Sequence, residues 1–276
     1  EFEFYLFRLD ADGNATNIPY DNAKYMDIAP LDRGENVRRE ICLTLCEMGI
    51  RAESSHHEDG PGQNEIDFRY GDALRAADNA ITFPSVVRTV AMRNGLWADF
   101  SPKPLPNESG NGMHINLSLA NPRTEDARNA FMAGLMEHIC EITAFLNPVD
   151  ASYARFGEYK APRYVTWSPE NRSQLIRIPA AKGEYERIEL RSPDPAGNPY
   201  LSFALILAAG LDGIRRNLKA PAPTNVNLFT ADESVTGKLR QLPRSRAEAA
   251  KIAKDSAFVR EVLPAGIIEA YTAEAE

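Results

Sequence analysis

The amino-acid sequence predicts an α+β fold with a mainly antiparallel sheet, in one domain over residues 1–276. Two observations support this prediction. Short runs with alternating apolar residues are joined by compact Gly-, Asp- and Pro-containing turns, which is typical of hairpins rather than of strand–helix–strand units. Longer stretches with apolar residues at helical spacing are interspersed among them, and no internal repeat or long linker divides the chain.

The first half of the chain is predicted to contain two hairpins and two helices. The hairpins surround the DADGN turn of residues 10–14 and the GPG turn of residues 60–62. The helices span residues 32–50 and 71–94. Apolar residues recur at helical spacing in the first helix, which is expected to end near Gly49; they are Val37, Ile41, Leu45 and Met48.

The second half begins with a Pro- and Gly-rich loop that leads into a strand at His114. A long apolar helix is predicted for residues 124–147, followed by a Pro- and Tyr-rich region with strands in SQLIRIPA and RIELRSP. A helix over residues 199–218 and a short helical tail near residues 244–276 close the chain.

Composition excludes some classes of protein. The formal net charge of −8 argues against a general binder of nucleic acid or of anionic membranes. No apolar run reaches the roughly 18 residues of a membrane span, and no signal peptide is visible. The three cysteines, Cys42, Cys46 and Cys140, form no CxxC pair, and the first two are expected to pack on a helix in a reducing cytoplasm. Because the chain starts inside a strand pattern, we expect it to continue a longer polypeptide.

Acidic residues on predicted strands could bind a cation. In EFEFYLF, Glu1 and Glu3 share one strand face with Tyr5, and this face either meets solvent or holds a cation. In ESSHHEDGPGQNEIDF, Glu58 and Glu65 flank a tight turn and would point into the same space if the strand ends face each other. A solvated hairpin with surface acids is the ordinary alternative.

A histidine and several arginines add to these candidates. His114 stands where a glycine loop enters a strand, as either a metal ligand or a hydrogen-bonded core residue. In RIELR, alternation places Arg187, Glu189 and Arg191 on one face, which is either an exposed ion-pair ladder or a floor for phosphate and metal. Without a GxxxxGK[ST] or GxGxxG motif, carboxylates, histidine and arginine together favour metal-assisted phosphoryl transfer.

These motifs, in this order, resemble the catalytic domain of the glutamine synthetase family over nearly the whole chain. The matching stretches are EFEF, SSHHEDGPGQNEIDF, ADFSPKPLPNESGNGMHINLSL, YARFGEYKAPRYVTWSPENRSQLIRIPA and RIELRSPDPAGNPYLSFALILAAGL. The resemblance is to the type I-like cytoplasmic branch. It implies a sheet that forms a curved active-site cradle backed by helices, and glutamine formation from glutamate, ATP and ammonia through γ-glutamyl phosphate. It also implies two to three Mg²⁺ or Mn²⁺ ions per site, and hexameric rings stacked into a dodecamer with active sites shared between subunits.

The resemblance also implies roles for individual residues. The metal ligands are Glu3, Glu58 and Glu65 for one ion and Glu1, His114 and Glu189 for another. The catalytic residues are Arg172, Arg191 and Glu158. The residues that bind glutamate are Arg155, Ser109, Gly110, Arg172 and Arg191, and those that bind ATP are Asn116, Ser118, Arg177 and Arg187.

Three positions depart from the family pattern. Lys160 stands where the family usually has the flap glutamate of YEAP, and Glu158 is a substitute two residues earlier. Ser109 replaces a common asparagine, and Phe229 replaces the tyrosine that regulated enzymes adenylylate, so no such control is expected. From the resemblance we expect this chain to lack the family's small N-terminal domain and therefore to have incomplete active sites by itself. The alternatives are a γ-glutamyl ligase for another amine and a non-catalytic member that binds nucleotide or glutamate.

Overall fold

The computed structural model describes residues 1–121, 124–181, 183 and 186–273. It confirms the predicted α+β class and the mainly antiparallel strand pairing. By internal contacts the chain divides into two compact units, Glu1–Met113 and His114–Glu276, which we call unit 1 and unit 2. The expectation that residues 1–276 form one domain stays a prediction.

Unit 1 contains one sheet and two helices. Strand β1 is its central member and pairs antiparallel with β2, β4 and β5, while β3 pairs antiparallel with β4. The elements are β1 (Phe2–Leu9), β2 (Ala15–Pro19), α1 (Glu35–Glu47), β3 (Ala52–His57), β4 (Gln63–Phe68), α2 (Ala73–Arg93) and β5 (Leu96–Asp99).

Strand β1 is buried on both faces. Phe2 and Phe4 pack against Phe83 of α2, with ring centroids 5.0 Å and 6.3 Å apart, so these aromatic rings anchor the strand in the core. The interpretation of the second face as solvent is wrong, because Glu3 is 8% exposed and Tyr5 is fully buried. A carboxylate in this position needs partners, since an isolated buried charge is costly.

Helix α1 follows its predicted apolar spacing except at its end. Val37, Ile41 and Leu45 are buried, but Met48 is 54% exposed. The helix ends at Glu47, and Gly49 then adopts a φ of +83°, which glycine reaches without a side-chain clash. Met48 therefore lies outside the helix, and the helical spacing that buries Leu45 does not apply to it.

Unit 2 contains a second sheet and most of the helices. Its strand order is β6-β9-β8-β7, and all pairs are antiparallel except the parallel pair β7–β8. The elements are β6 (Ile115–Leu117), α3 (Glu125–Leu146), α4 (Asp150–Tyr153), β7 (Trp167–Pro169), β8 (Ile176–Ile178), β9 (Ile188–Leu190), α5 (Pro199–Arg215), α6 (Glu233–Thr236), α7 (Arg246–Asp255), α8 (Ala257–Val262) and α9 (Ala265–Thr272).

The long helices α3 and α5 of unit 2 touch backbone to backbone. A Cβ on Gly134 would lie 2.2 Å from the carbonyl oxygen of Ala209, and one on Gly213 would lie 2.1 Å from that of Ala130. The starts of both helices are fixed by side-chain caps. Thr124 accepts a hydrogen bond from the amide of Ala127, and Asn198 accepts one from that of Tyr200.

Several short elements were not expected from the sequence. Strand β5 has four residues, and β7 has three and includes a proline, so neither shows a readable alternation. The predicted tail is resolved into α7, α8 and α9, and its last three residues lie outside the described part of the chain.

Two expectations from composition can be checked against the structure. In the described residues, no helix is both long and apolar enough to cross a membrane. All three cysteines are free, as expected, but Cys46 is exposed, so the expectation that it packs is wrong.

Candidate functional site

A row of polar side chains crosses three strands of unit 1. In the strand register, Glu3 of β1 lies opposite Glu65 of β4, and Glu65 lies opposite His56 of β3. Residues that are opposite in neighbouring strands point to the same face. Glu3 is 8% and Glu65 is 7% exposed, so two carboxylates share a nearly dry surface.

Glu58 joins this row from the turn after β3. Its amide donates to the carbonyl of Gln63 at 2.8 Å, which closes the hairpin. Its Oε1 lies 3.2 Å from His56 Nε2, while Glu65 Oε2 lies 4.0 Å from the same nitrogen. The predicted hairpin therefore brings Glu58 and Glu65 to one histidine, and the sequence interpretation missed His56 as a member of the group.

The glycine loop of residues 109–112 packs against the same row. The amide of Gly112 donates to Glu3 Oε2 at 2.7 Å, and Gln63 Nε2 donates to the carbonyl of Gly110 at 3.1 Å. The hydroxyl of Tyr5 donates to the carbonyl of Ser109 at 2.6 Å. Burial raises the pKa of Tyr5, so the phenol stays protonated as a donor. The loop thus fixes Glu3 on one side while Ser109 and Gly110 stay beside it.

The electrostatics of the row favour a bound cation. Burial, then the charges of Asp67 and Glu3, raise the pKa of Glu65 well above its ordinary value. Two groups in unit 1 have ligand atoms within 4.8 Å of one another: His56, Glu58 and Glu65, and Glu1, Glu65 and Asp67. Two carboxylates about 5 Å apart repel by about 3 kcal/mol at an effective dielectric constant of about 20. Oxygen-rich donors of this kind suit Mg²⁺ or Mn²⁺.

In unit 2, a second polar row surrounds Glu189 of β9. Asn116 of β6 and Arg177 of β8 lie opposite Glu189 on either side. The carboxylate is fully buried and accepts hydrogen bonds from Arg177 Nε and Arg191 Nη1. His114 Nδ1 lies 3.8 Å from Glu189 Oε1. Glu189 is therefore the electrostatic centre of this row.

The arginines next to β9 lie just outside the strand. Arg191 follows its last residue, and besides Glu189 it contacts the carbonyls of Arg172 at 3.2 Å and Lys160 at 3.3 Å. Arg187 precedes the strand and donates to Asn116 Oδ1 at 2.8 Å. These contacts agree with the prediction that Arg187, Glu189 and Arg191 of RIELR lie on one face. A planar guanidinium suits Arg191 to three acceptors at once.

A small pocket of about 60 Å³ opens in unit 2 beside Arg187. Its floor is apolar and includes Leu117, Ile188 and Phe131, and Ser118 and Arg128 also line it. Two of the residues expected to bind ATP, Ser118 and Arg187, therefore share one cavity. Its volume exceeds the roughly 10–15 Å³ that one water molecule requires.

Arg155 lies in a buried polar network. It is 2% exposed, donates to the carbonyl of Ser192 at 3.1 Å and pairs with Asp194 Oδ2 at 3.6 Å. Asn147 donates to the same carboxylate oxygen at 2.7 Å. Burial raises the pKa of Asp194, and the charge of Arg155 opposes that rise. Sequence reasoning missed Asp194, and the contact of Arg155 with glutamate stays a prediction.

The segment that carries the family departures is a tight turn. Gly157, Tyr159 and Lys160 all have positive φ, at +89°, +41° and +71°. The amide of Gly157 donates to the carbonyl of Ala161 at 3.0 Å, and that of Ala161 donates to Glu158 at 2.8 Å. Glu158 is exposed in this turn. Positive φ in non-glycine residues is costly and persists where surrounding contacts hold it.

The family model described as "Glutamine synthetase, catalytic domain" matches residues 1–276. The chain belongs to the glutamine synthetase family. A glutamine synthetase of Methanosarcina mazei is 47% identical over 290 residues, which cover 98% of this chain and 64% of that protein. One of Clostridium saccharobutylicum is 45% identical, over 95% of this chain and 63% of that protein.

A solved structure described as "GmaS/ADP complex-Conformation 1" is also similar to this chain. It has a TM-score of 0.85 and 33% identity, and the match covers 98% of this chain and 66% of that one. The chain therefore spans slightly less than two thirds of the length of these relatives. The family resemblance inferred from the motifs is therefore confirmed, while the role of each residue stays a prediction.

Proposed function

We propose that this chain is the catalytic part of an ATP-dependent ligase that joins ammonia to the γ-carboxylate of glutamate. The observation that carries the proposal is the buried acidic row of unit 1, in a chain of the glutamine synthetase family. Clustered buried carboxylates suit divalent ions, and divalent ions suit ATP phosphates.

The ligands proposed for one ion are Glu3, Glu58 and Glu65. Their support is the strand register of Glu3 and Glu65, together with the closeness of Glu58 to His56. For another ion, the ligands proposed from the family resemblance are Glu1, His114 and Glu189. Bound Mg²⁺ or Mn²⁺ would neutralise the phosphate charges, and these carboxylates would supply its oxygen ligands.

The arginines are proposed to hold the phosphates and glutamate. Arg177 and Arg187, with Asn116 and Ser118, would bind ATP, and this role is supported by the likeness to a solved structure described as a GmaS complex with ADP. Arg172 and Arg191 would hold the moving phosphoryl group and the side chain of glutamate. Ser109, Gly110 and Arg155 complete the proposed glutamate site.

The proposed reaction has two steps. The γ-carboxylate oxygen of glutamate attacks the γ-phosphorus of ATP, the bond to the ADP oxygen breaks, and γ-glutamyl phosphate forms. Ammonia then attacks the acyl carbon, phosphate leaves, and a proton is lost to give glutamine. Arg172 and Arg191 stabilise the charge that spreads over the phosphoryl oxygens. Glu158 is the candidate acceptor for the proton of ammonium.

A second candidate uses another amine as acceptor. It is favoured by Lys160, since a cationic side chain in this turn repels ammonium. A non-catalytic binder of nucleotide or glutamate is the third candidate. We propose that the protein is cytoplasmic and assembles into hexameric rings, two of which stack into a dodecamer with shared active sites.

Activity of the full-length protein distinguishes these candidates. Phosphate release from ATP is measured with Mg²⁺ and glutamate, and with ammonium or a panel of alkylamines and polyamines. Release with ammonium supports the first candidate, and release with an alkylamine alone selects the second. No ADP with any amine contradicts both ligase proposals and favours the binder.

Loss of Glu58 tests the metal assignment. Glu58→Gln removes a proposed ligand charge, so metal-dependent turnover should fall by more than the roughly 10–100-fold that loss of an outer-sphere partner costs. The matched control is Glu53→Gln on the preceding strand β3, whose side chain is 48% exposed and whose carboxylate lies 4.0 Å from Arg69. Unchanged turnover at saturating Mg²⁺ in Glu58→Gln would contradict the assignment.

A further inference from the structure

Unit 1 contains a cleft of about 680 Å³ whose lining residues have no role assigned so far. Strand β1 contributes Arg8, the end of β2 contributes Pro19, and the connection from β2 to α1 contributes residues between 21 and 33. Pro61, in the turn after β3, also lines it. Small-molecule sites in proteins usually have volumes of about 300–1,000 Å³, so this cleft has room for a metabolite.

Two guanidinium groups border the cleft. Arg8 Nη2 donates to the carbonyl of Tyr20 at 3.3 Å, and the guanidinium carbon of Arg33 lies 5.2 Å from the centroid of the Tyr20 ring. Both side chains are exposed, so a ligand in the cleft can reach them. Within the described part of the chain, neither arginine forms an ion pair with a carboxylate. Two positive charges therefore border the cleft without a counter-charge from the protein.

Asp21 also lines the cleft, but donors of the protein already occupy its carboxylate. Its Oδ1 accepts a hydrogen bond from the amide of Gly62 at 3.1 Å and lies 2.9 Å from His57 Nε2. Its Oδ2 accepts one from the amide of Arg33 at 2.8 Å, and the residue is 8% exposed. The carboxylate is thus turned to its own partners, and the cleft keeps a net positive charge in a chain whose formal net charge is −8.

The remaining wall of the cleft is rigid and largely apolar. Pro19, Pro30 and Pro61 line it together with Ala23 and Leu31, and the leucine is 61% exposed. Proline fixes its φ near −65°, so these residues hold the wall in shape without a ligand. A pre-formed concave surface with apolar walls and a few polar groups is typical of a site that binds a small molecule.

We propose that this cleft binds a phosphate monoester, with its phosphate at Arg8 and Arg33 and its carbon skeleton against the prolines and Leu31. The planar fork of arginine donors matches phosphate oxygens, and two guanidinium groups balance the charge of about −1.5 to −2 that a phosphate monoester carries at neutral pH. Inorganic phosphate leaves the apolar wall uncovered, so an organic ester is the better match. None of these residues takes part in the proposed ligase reaction, and the cleft is independent of it.

Isothermal titration with phenyl phosphate tests the site in the metal-free, full-length protein without ATP or glutamate. Arg8→Gln and Arg33→Gln should each weaken binding by about tenfold or more, because each removes a charge-assisted hydrogen bond. The matched control is Arg51→Gln, which changes an exposed arginine of unit 1 outside the cleft and should leave the affinity unchanged. No binding at millimolar phenyl phosphate, or equal weakening in all three variants, would overturn the proposal.

The arginines proposed for ATP offer a competing place for a phosphate ester. Arg187→Gln removes one of them and should leave the affinity for phenyl phosphate at the cleft unchanged. Loss of binding in Arg187→Gln, with full binding in Arg8→Gln and Arg33→Gln, would place the ester at the proposed ATP site. That result would overturn the cleft proposal and leave the proposed function intact.

Two further ligands separate the contributions of charge and apolar contact. Inorganic phosphate should bind more weakly than phenyl phosphate, because it lacks a group that contacts the prolines, and phenol should bind more weakly still, because it lacks the charge. Phenol that binds as tightly as phenyl phosphate would contradict the role of the arginines.

Crystals of the unmodified protein soaked in phenyl phosphate do not depend on the folding of any variant. Electron density for the phosphate in contact with Arg8 and Arg33 supports the site. Density for the ester only elsewhere, or a cleft filled by a neighbouring subunit, would overturn it.

Discussion

At the residue scale, single atoms decide how the acidic row is built. Gly60 lies so close to Tyr5 that a Cβ on it would stand 1.9 Å from the phenol oxygen. That phenol holds the glycine loop through the carbonyl of Ser109. A methyl group in place of one hydrogen atom of Gly60 would therefore displace the phenol of Tyr5 and, through it, the glycine loop that fixes Glu3.

Gly60→Ala should lower the free energy of unfolding by about 1–3 kcal/mol, the usual cost of overpacking. Tyr5→Phe should cost about 1 kcal/mol through the lost hydrogen bond. Since Tyr5→Phe also removes the phenol oxygen, the closer of the two Tyr5 atoms that the new methyl meets, and leaves only Cζ at 2.7 Å, the double variant should cost less than the sum. Urea unfolding of the four proteins measures this difference, and strictly additive costs would contradict the contact.

At the element scale, α3 and α5 depend on glycines for their approach. Gly213→Ala would push a methyl into the carbonyl of Ala130 and separate the helices, so the free energy of unfolding should fall by about 3 kcal/mol or more. The matched control is Gly266→Ala in α9, where a Cβ meets nothing within 4 Å. The control should be neutral or stabilise by up to about 1 kcal/mol, because alanine favours helices.

Chemical denaturation of both variants measures these changes. An equal effect at the two positions would show that helix propensity, rather than the backbone contact of α3 with α5, controls the result.

A second tie between α3 and α5 is sensitive to pH. His138 Nε2 lies 3.0 Å from Asp212 Oδ2, and Arg216 donates to the same oxygen at 2.8 Å. The hydrogen bond from His138 is the main cause that lowers the pKa of Asp212. A carboxyl whose pKa is lowered on folding stabilises the protein above its unfolded pKa of about 3.9, and this contribution is lost as the pH falls through the folded pKa.

Asp212→Asn should therefore be less stable than the unmodified protein at neutral pH, and the difference should shrink as the pH falls below about 4. Thermal unfolding between pH 3 and pH 7 follows it, with the exposed substitution Glu269→Gln as the control. A difference that grows toward low pH would contradict the direction of the pKa shift.

At the scale of the whole molecule, stability should depend on divalent ions. Ligands that bind only the folded state stabilise it by about 2.7 kcal/mol at a concentration 100 times their dissociation constant. Mg²⁺ or Mn²⁺ should therefore raise the melting temperature of the full-length protein, and chelation should lower it. NaCl at matched ionic strength separates binding from screening, and an equal effect of both salts would contradict specific binding.

The sequence predicts much of this architecture because its signals are local. The turn between Glu58 and Glu65 involves residues close in the chain, and the helices predicted over residues 124–147 and 199–218 have local apolar spacing, so the sequence alone locates them. The contact of Arg155 with Asp194 shows where local patterns stop being informative. Asp194 lies 39 residues away in the chain, and no local pattern predicts that the two side chains pair.

His56 and Asp67 are residues that the sequence could predict in part. Each stands two residues from a carboxylate that alternation had already placed on one face, so the period of the strand could have included both. Alternation could not predict their partial burial, which depends on pairing among three strands and on a glycine loop almost fifty residues further along.

The turn around Lys160 is anchored through its main chain. Arg191 contacts the carbonyl of Lys160, a group that every amino acid possesses. Evolution can therefore exchange the side chain at this position without loss of that anchor, provided that the new residue tolerates a φ of +71°. Related proteins can diversify the chemistry of this turn while they inherit its shape, and asparagine and glycine are the replacements that the backbone admits most readily.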